Sequence, residues 1–127
     1  QLANAAKLII AQRLLRKLCQ HCKQPDRSSF PHLKAQIDCS QIDLIYQPTG
    51  CQHCHKGYKG RFGIFELLPV TPDIQTAILA GHSAQQIHQM AIQNGMISLR
   101  QSALAQVCAG NTALAEADRV TMVEKPL

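Results

Sequence analysis

A mainly α-helical chain carrying one small α+β module is what this sequence predicts, on three observations. An apolar stripe at 3.6-residue spacing opens the chain, with Leu8, Ile10, Leu14, Leu15 and Leu18 on one side and Gln12, Arg13, Arg16 and Lys17 on the other. Cys19-Gln20-His21-Cys22 and Cys51-Gln52-His53-Cys54 repeat one spacing at two distant places. Beyond Pro69, helix start and stop signals follow one another to the end. Together they describe an N-terminal helix, tetracysteine zinc knuckles with a short antiparallel β-pair, and a bundle of about four short helices.

The first stripe predicts a helix over residues 2–18. Ile9 falls off that stripe and no capping residue opens the helix, so the element reads as packed against something outside this sequence. The first cysteine turn follows at once. Residues 25–31 hold two Pro, two Ser and an Asp, a loop composition. Residues 32–43 predict a short helix, and 44–47 a strand leading through Pro48-Thr49-Gly50 to the second turn. Gly57, Gly60 and Gly63 punctuate the next stretch, with a second strand over 62–68. Thr71 then caps a helix with Pro72 at its start, burying Ile74, Ala77 and Ile78 before Gly81. Ser83 with Gln86, and Ser98 with Gln101, form capping boxes. The stripes behind them are Ile87, Met90 and Ala91 before Gly95, then Leu99, Ala103, Leu104, Val107 and Cys108 before Gly110. Thr112 opens a last helix through Leu114, Ala117 and Val120.

A C-x-x-C turn presents two sulfurs to one side of a metal ion, and a second such turn completes a tetrahedron. Cys19, Cys22, Cys51 and Cys54 are therefore the candidate ligands of a closed, structural Zn2+ site. With sulfur in all four positions no place is left for water, which argues against Lewis-acid catalysis. The 28 residues between Cys22 and Cys51 read as an insertion folded onto the metal module. The ion would supply folding energy that so small a segment lacks. His21, His53 and His55 are possible substitutes for a sulfur, although residues inside such a turn point away from the ion. His32, His82 and His88 read as surface residues and Cys108 as a small buried hydrophobe. Cys39 is unpaired in spacing.

Residues 1–61 hold ten Lys/Arg against three acids, and residues 62–127 three against five. Lys17, Lys23, Lys56, Lys59 and Arg61 cluster around the cysteine turns. They suit a zinc-ribbon-like nucleic-acid-binding module, but the chain is only 4% aromatic and interleaves no aromatics with the basic residues. The competing reading is that these cations offset the net −2 of four thiolates and Zn2+. A thiol oxidoreductase cycling Cys19–Cys22 or Cys51–Cys54 is a third class. No apolar run approaches the ~18–20 residues of a membrane span. Residues 1–6 lack a signal-peptide pattern, and a reducing compartment favours metal ligation over disulfides. No G-x-x-x-x-G-K-[ST] string and no Ser/His/acid set occurs, so no catalytic residue is assigned.

Several strings resemble one family. Ala11-Gln12-Arg13-Leu14-Leu15-Arg16-Lys17-Leu18-Cys19-x-x-Cys22 is similar to the stretch that leaves the motor domain in bacterial type II secretion and type IV pilus assembly ATPases. Gly50-Cys51-x-x-Cys54 followed by Gly57-Tyr58-Lys59-Gly60-Arg61-x-Gly63-Ile64-x-Glu66-Leu67-Leu68 resembles their second knuckle and following strand. Gly95-Met96, Leu99-Arg100, Ala109-Gly110-x-Thr112-x-Leu114 and Arg119-Val120-Thr121 resemble their helical tail. The resemblance implies the C-terminal region of a hexameric cytoplasmic ATPase. Residues 1–18 would be the last motor-domain helix, 19–68 the zinc-binding module and 69–127 a helical subdomain. ATP and Mg2+ would belong to the motor domain alone. The implied partners are that motor domain, neighbouring subunits of a homohexamer, and inner-membrane platform proteins that hold the assembly peripherally at the membrane. The chain departs from the pattern at Ala115, where Glu would complete a capping box on Thr112, and at Asp118, where an apolar residue is usual. A looser last helix is expected. Some family members lack the cysteines, which gives the ion a structural or docking role.

Overall fold

The computed structural model describes residues 7–38, 42 and 44–122. Its elements run, in chain order, β1 (Leu8–Leu18), β2 (Gln24–Pro25), α1 (Phe30–Lys34), β3 (Tyr46–Gln47), β4 (Tyr58–Pro69), α2 (Pro72–Leu79), α3 (Ala84–Gln93), α4 (Leu99–Cys108) and α5 (Leu114–Thr121). The architecture is α+β rather than mainly α.

The largest correction concerns the opening segment, which is a strand where a helix was expected. β1 pairs antiparallel with β4, Leu8 opposite Pro69 and Arg16 opposite Arg61, with an irregularity in register between Arg16 and Leu18. Leu, Gln, Arg and Lys favour helix by intrinsic propensity, but that is a weak prior, and a long ladder with β4 outweighs it. The remainder of the predicted helix, residues 2–6, lies outside the described residues.

Residues directly opposed in an antiparallel pair share a face. One face of the ribbon carries Ala11, Leu15, Phe62 and Ile64 into the interior. The other presents Leu8, Ile10, Leu14, Phe65 and Leu67, each about half exposed. The bulge beside Lys17 returns Leu18 to the interior, against Tyr58 and Ala113. Around the inward face one core gathers Leu33 of α1, Ile45, Leu99, Ala103, Leu104 and Val107 of α4, and Leu114 and Ala117 of α5. A separate cluster joins α2 to α3 through Ile74, Ala91 and Met96, with Leu68 and Val70 from the end of the ribbon. The expected bundle is therefore two helix pairs set on one ribbon.

Short elements shift as well. The helix expected over 32–43 is α1, five residues from Phe30 to Lys34, and Cys39 lies outside the described residues. The strand expected at 44–47 shrinks to β3, paired with β2, while Ile45 becomes a fully buried core residue. The strand expected at 62–68 is longer, and its partner is β1.

The capping logic holds where it is local. Both boxes form, the Ser83 and Ser98 hydroxyls accepting from the Gln86 and Gln101 N–H groups while each Gln side chain accepts from its serine N–H. Thr71 sits at the cap of α2, but its hydroxyl donates to the Asp73 carboxylate. At α5 the cap residue is Ala113, and the Thr112 hydroxyl donates instead to the Arg16 carbonyl at 2.8 Å. Asp118 is matched by Arg100, whose Nη1 lies 2.7 Å from Oδ1. That pair is close but poorly aligned for hydrogen bonding, and the same Nη1 donates to the Thr121 hydroxyl. The last helix is thus held by long-range contacts that replace its missing cap. Ser98→Ala is expected to cost about 1 kcal/mol, the usual value of a cap, and to lower the thermal midpoint measured by circular dichroism by about 3–5 °C.

Candidate metal centre

The end of β1 delivers the first cysteine. Beyond the bulge, the Leu18 N–H donates to the Asn111 carbonyl and the Cys19 N–H to the Gly57 carbonyl, both at 2.9 Å. Cys19 is thereby tied both to the C-terminal helices and to the second knuckle. The second knuckle is set by a hairpin turn. His55 and Tyr58 exchange both backbone hydrogen bonds, at 2.9 and 3.0 Å, around Lys56 and Gly57. Both of these central residues have positive φ, 54° and 95°, the mark of a type I′ turn. Gly57 is required twice over, since a Cβ there would stand 2.4 Å from the Pro48 Cβ. The Thr49 hydroxyl donates to the Cys22 carbonyl at 2.6 Å and fastens the two knuckles together.

The predicted ligands converge. The Sγ atoms of Cys19 and Cys51 are 3.8 Å apart, those of Cys22 and Cys54 3.8 Å, and those of Cys51 and Cys54 3.7 Å. All four lie within 4.8 Å of one another. Sulfurs about 2.3 Å from a central zinc stand about 3.8 Å apart along each tetrahedral edge. The four cysteines are therefore close enough to bind one metal ion, and the sulfur donor set suits a soft or borderline cation. The Gly50 N–H donates to Cys22 Sγ at 3.4 Å and the His53 N–H to Cys51 Sγ at 3.3 Å, contacts that favour thiolates.

Ionisation of the cluster is uneven. Thr49, followed by the Gly50 N–H and the neighbouring thiols, outweighs desolvation and draws Cys22 down to about 6. At Cys51 the His53 N–H lowers the pKa, but desolvation and three adjacent thiols prevail and push it up to about 12. Cys22 thus ionises readily while Cys51, beside it, resists adding further negative charge. A cation in the centre removes that conflict.

Among the described residues no imidazole joins the four sulfurs. His21 and His53 stack on each other with ring centroids 4.4 Å apart, and His55 is exposed. Lys23, expected to offset the thiolates, is committed elsewhere. Its ammonium donates to the Gly110 carbonyl at 3.1 Å and lies 4.2 Å from the Tyr46 ring centroid. His88 is not simply a surface residue, because its Nε2 is 3.1 Å from a Glu66 oxygen that also accepts the Leu99 N–H.

Sequence reasoning missed the support beneath the site. Glu116, 1% exposed, accepts from the Arg16 N–H, from Arg16 Nε and Nη2, and from Arg119 Nε and Nη2, all between 2.8 and 3.1 Å. Burial alone would raise its pKa, but the hydrogen bonds from Arg119 and Arg16 bring it down to about 2. Arg16 in turn lies 4.2 Å over the Tyr58 ring. The one local signal was an acid three residues before Arg119 in the last helix.

Comparison with known proteins identifies the family of the chain. A family model described as "Type II/IV secretion system protein" matches residues 1–119. The chain is 42% identical over 123 residues to the type IV pilus assembly ATPase PilB of Pseudomonas aeruginosa, covering 94% of this chain and 22% of that protein. It is 37% identical over 119 residues to the protein transport protein HofB homolog of Escherichia coli, covering 94% of this chain and 25% of that one. It is 38% identical over 117 residues to the type II secretion system protein E of Dickeya dadantii, covering 91% and 23%. The chain therefore spans about a fifth to a quarter of the length of these relatives. No helix among the described residues is long and apolar enough to cross a membrane. On the family match over residues 1–119 and these identities, the chain belongs to the type II/IV secretion system protein family.

Proposed function

We propose that the chain is the zinc-stapled C-terminal region of a hexameric ATPase that powers type IV pilus assembly or type II protein secretion. Cys19, Cys22, Cys51 and Cys54 hold one Zn2+ whose role is structural. The observation that carries this reading is the set of sulfur separations near 3.8 Å, the edge of a zinc tetrathiolate. Residues 1–18 lead out of the motor domain, their strand β1 entering the ribbon with β4, while 19–68 form the metal module and 69–127 the helical subdomain. ATP and Mg2+ bind in the motor domain, and no residue here is assigned to them. The region works by packing on that domain and by offering exposed surface to neighbouring subunits and to platform proteins at the cytoplasmic face of the inner membrane.

What this chain's own residues do is mechanical. The bulge and the Asn111 and Gly57 carbonyls aim Cys19, and the type I′ turn aims the second knuckle. Arg16, Glu116 and Arg119 brace the strand that leads into the site. Elemental analysis of chain purified without added metal is expected to return about one zinc per chain, the stoichiometry of a closed four-sulfur site. The four thiols should resist a thiol reagent until a chelator is added. Metal-free, folded protein with rapidly reacting cysteines would exclude the reading.

A further inference from the structure

Beside the metal module lies a positively charged depression that the staple does not use. It measures ≈ 310 Å³ and is lined by Arg16, His55, Tyr58, Gly60 and Arg61. Arg16 and Arg61 stand directly opposite each other in the β1–β4 ladder. Like charges in that position are destabilising, so the pair calls for an explanation. Glu116 does not supply one, because this single carboxylate is already shared between Arg16 and Arg119. Three guanidinium groups meet one acid in this corner. Arg61 is exposed and has no ion-pair or hydrogen-bond partner among the described residues. Arg16 is held rigidly by Glu116 and the Tyr58 ring through its Nε and Nη2 edge.

We propose that this depression binds a phosphoryl group, with Arg61 as its principal ligand and Arg16 as the fixed second cation. The walls are built in advance. Register in the ribbon sets the two arginines, and the Lys56–Gly57 turn sets His55 and Tyr58. Arg16 is already ordered by Glu116 and Tyr58, so only the Arg61 side chain loses freedom on binding, and the planar arginine fork matches phosphate oxygens in a way that an ammonium cannot. This assignment does not depend on the motor reading but rests on the zinc reading to the extent that the ion keeps the ribbon folded, which is why metal content is followed in every variant. The phosphoryl group is either free in solution or part of a lipid headgroup.

Two probes separate these sources: inorganic phosphate titrated against the metal-loaded chain by phosphorus NMR, and sedimentation with phosphatidylcholine vesicles with or without phosphatidylglycerol. Saturable binding of phosphate identifies a soluble ligand. Binding that requires phosphatidylglycerol identifies the headgroup. In either case Arg61→Ala is expected to weaken affinity by about tenfold or more, the scale of a lost charge-assisted contact, and Arg61→Lys to restore only part of it. Arg27→Ala, a surface cation outside the depression, should leave affinity unchanged, and metal content and circular dichroism should match wild type throughout. The proposal fails if neither probe binds, if Arg61→Ala binds as tightly as wild type, or if Arg27→Ala loses as much.

Discussion

Removing the metal, by chelation or by Cys51→Ser, is expected to unfold more than the cysteine module. Structural zinc contributes apparent energies of roughly 10–16 kcal/mol, as large as the whole net stability of about 5–15 kcal/mol typical of a domain. The ribbon should therefore not survive without the ion. Leu15 and Ile64 of that ribbon share one core with Leu33, Leu99, Leu104 and Leu114. The Leu18 and Lys23 contacts also reach Asn111 and Gly110. Loss of the staple should consequently strip α4 and α5 of their packing. α2 and α3, clustered on Ile74 and Ala91, touch the ribbon only at its far end. Hydrogen exchange resolves the outcome: amides of β1, β4 and α4 should lose protection together. If α4 stayed protected while β1 opened, the shared-core argument would be wrong.

The second large effect concerns Glu116. Replacing it with Ala leaves two guanidiniums without their common acceptor and an unfilled space in the interior. Breaking a buried pair costs about 3–5 kcal/mol. Arg16 and Arg119 keep side-chain exposures of 40% and 59% and can turn to water, so about 2–3 kcal/mol is the better expectation. Glu116→Gln keeps the shape and should cost less, because a neutral amide still accepts a hydrogen bond. Folding depresses the pKa of Glu116 from 4.5 to about 2, so its charge stabilises the folded state above the unfolded pKa. That contribution is lost as pH falls from about 4.5 through about 2. In urea titrations, the stability gap between wild type and Glu116→Gln should be full at pH 7 and shrink across this acid range. The onset of that shrinkage, at about pH 4.5–5, is the part to read, because further acid protonates the thiolates, releases the ion and unfolds the ribbon in both proteins. A gap that is constant with pH would show that charge is not what Glu116 contributes.

The features legible in the sequence are those written within a few residues. Each knuckle is a three-residue offset, and the Ser83–Gln86 and Ser98–Gln101 boxes are equally local, so spacing alone located them. What stayed hidden is what the chain assembles from afar. β1 meets β4 across some fifty intervening residues, and nothing in the helix-favouring composition of residues 8–18 announces that ladder. Ile9, off the helical stripe, was the one residue that objected. Thr112 was read as a local cap, but its hydroxyl serves Arg16 on the opposite side of the core. The Arg16–Glu116 pair, one hundred residues apart in sequence, belongs to the same class. The cysteine tetrad was predictable because metal ligation by sulfur calls for a fixed local spacing, which each C-x-x-C turn displays. The brace beneath it followed only from the fold.

The outer face of the ribbon has a practical consequence for anyone handling the chain by itself. Leu8, Ile10, Leu14, Phe65 and Leu67 form an oily strip beside an edge whose backbone is open at Leu8, Ile10 and Leu14 among the described residues. Such edges recruit further strands. Concentrated stocks should therefore thicken or cloud through strand-to-strand stacking, and conditions that keep the molecule dilute, cold and well charged will decide how long a sample remains usable.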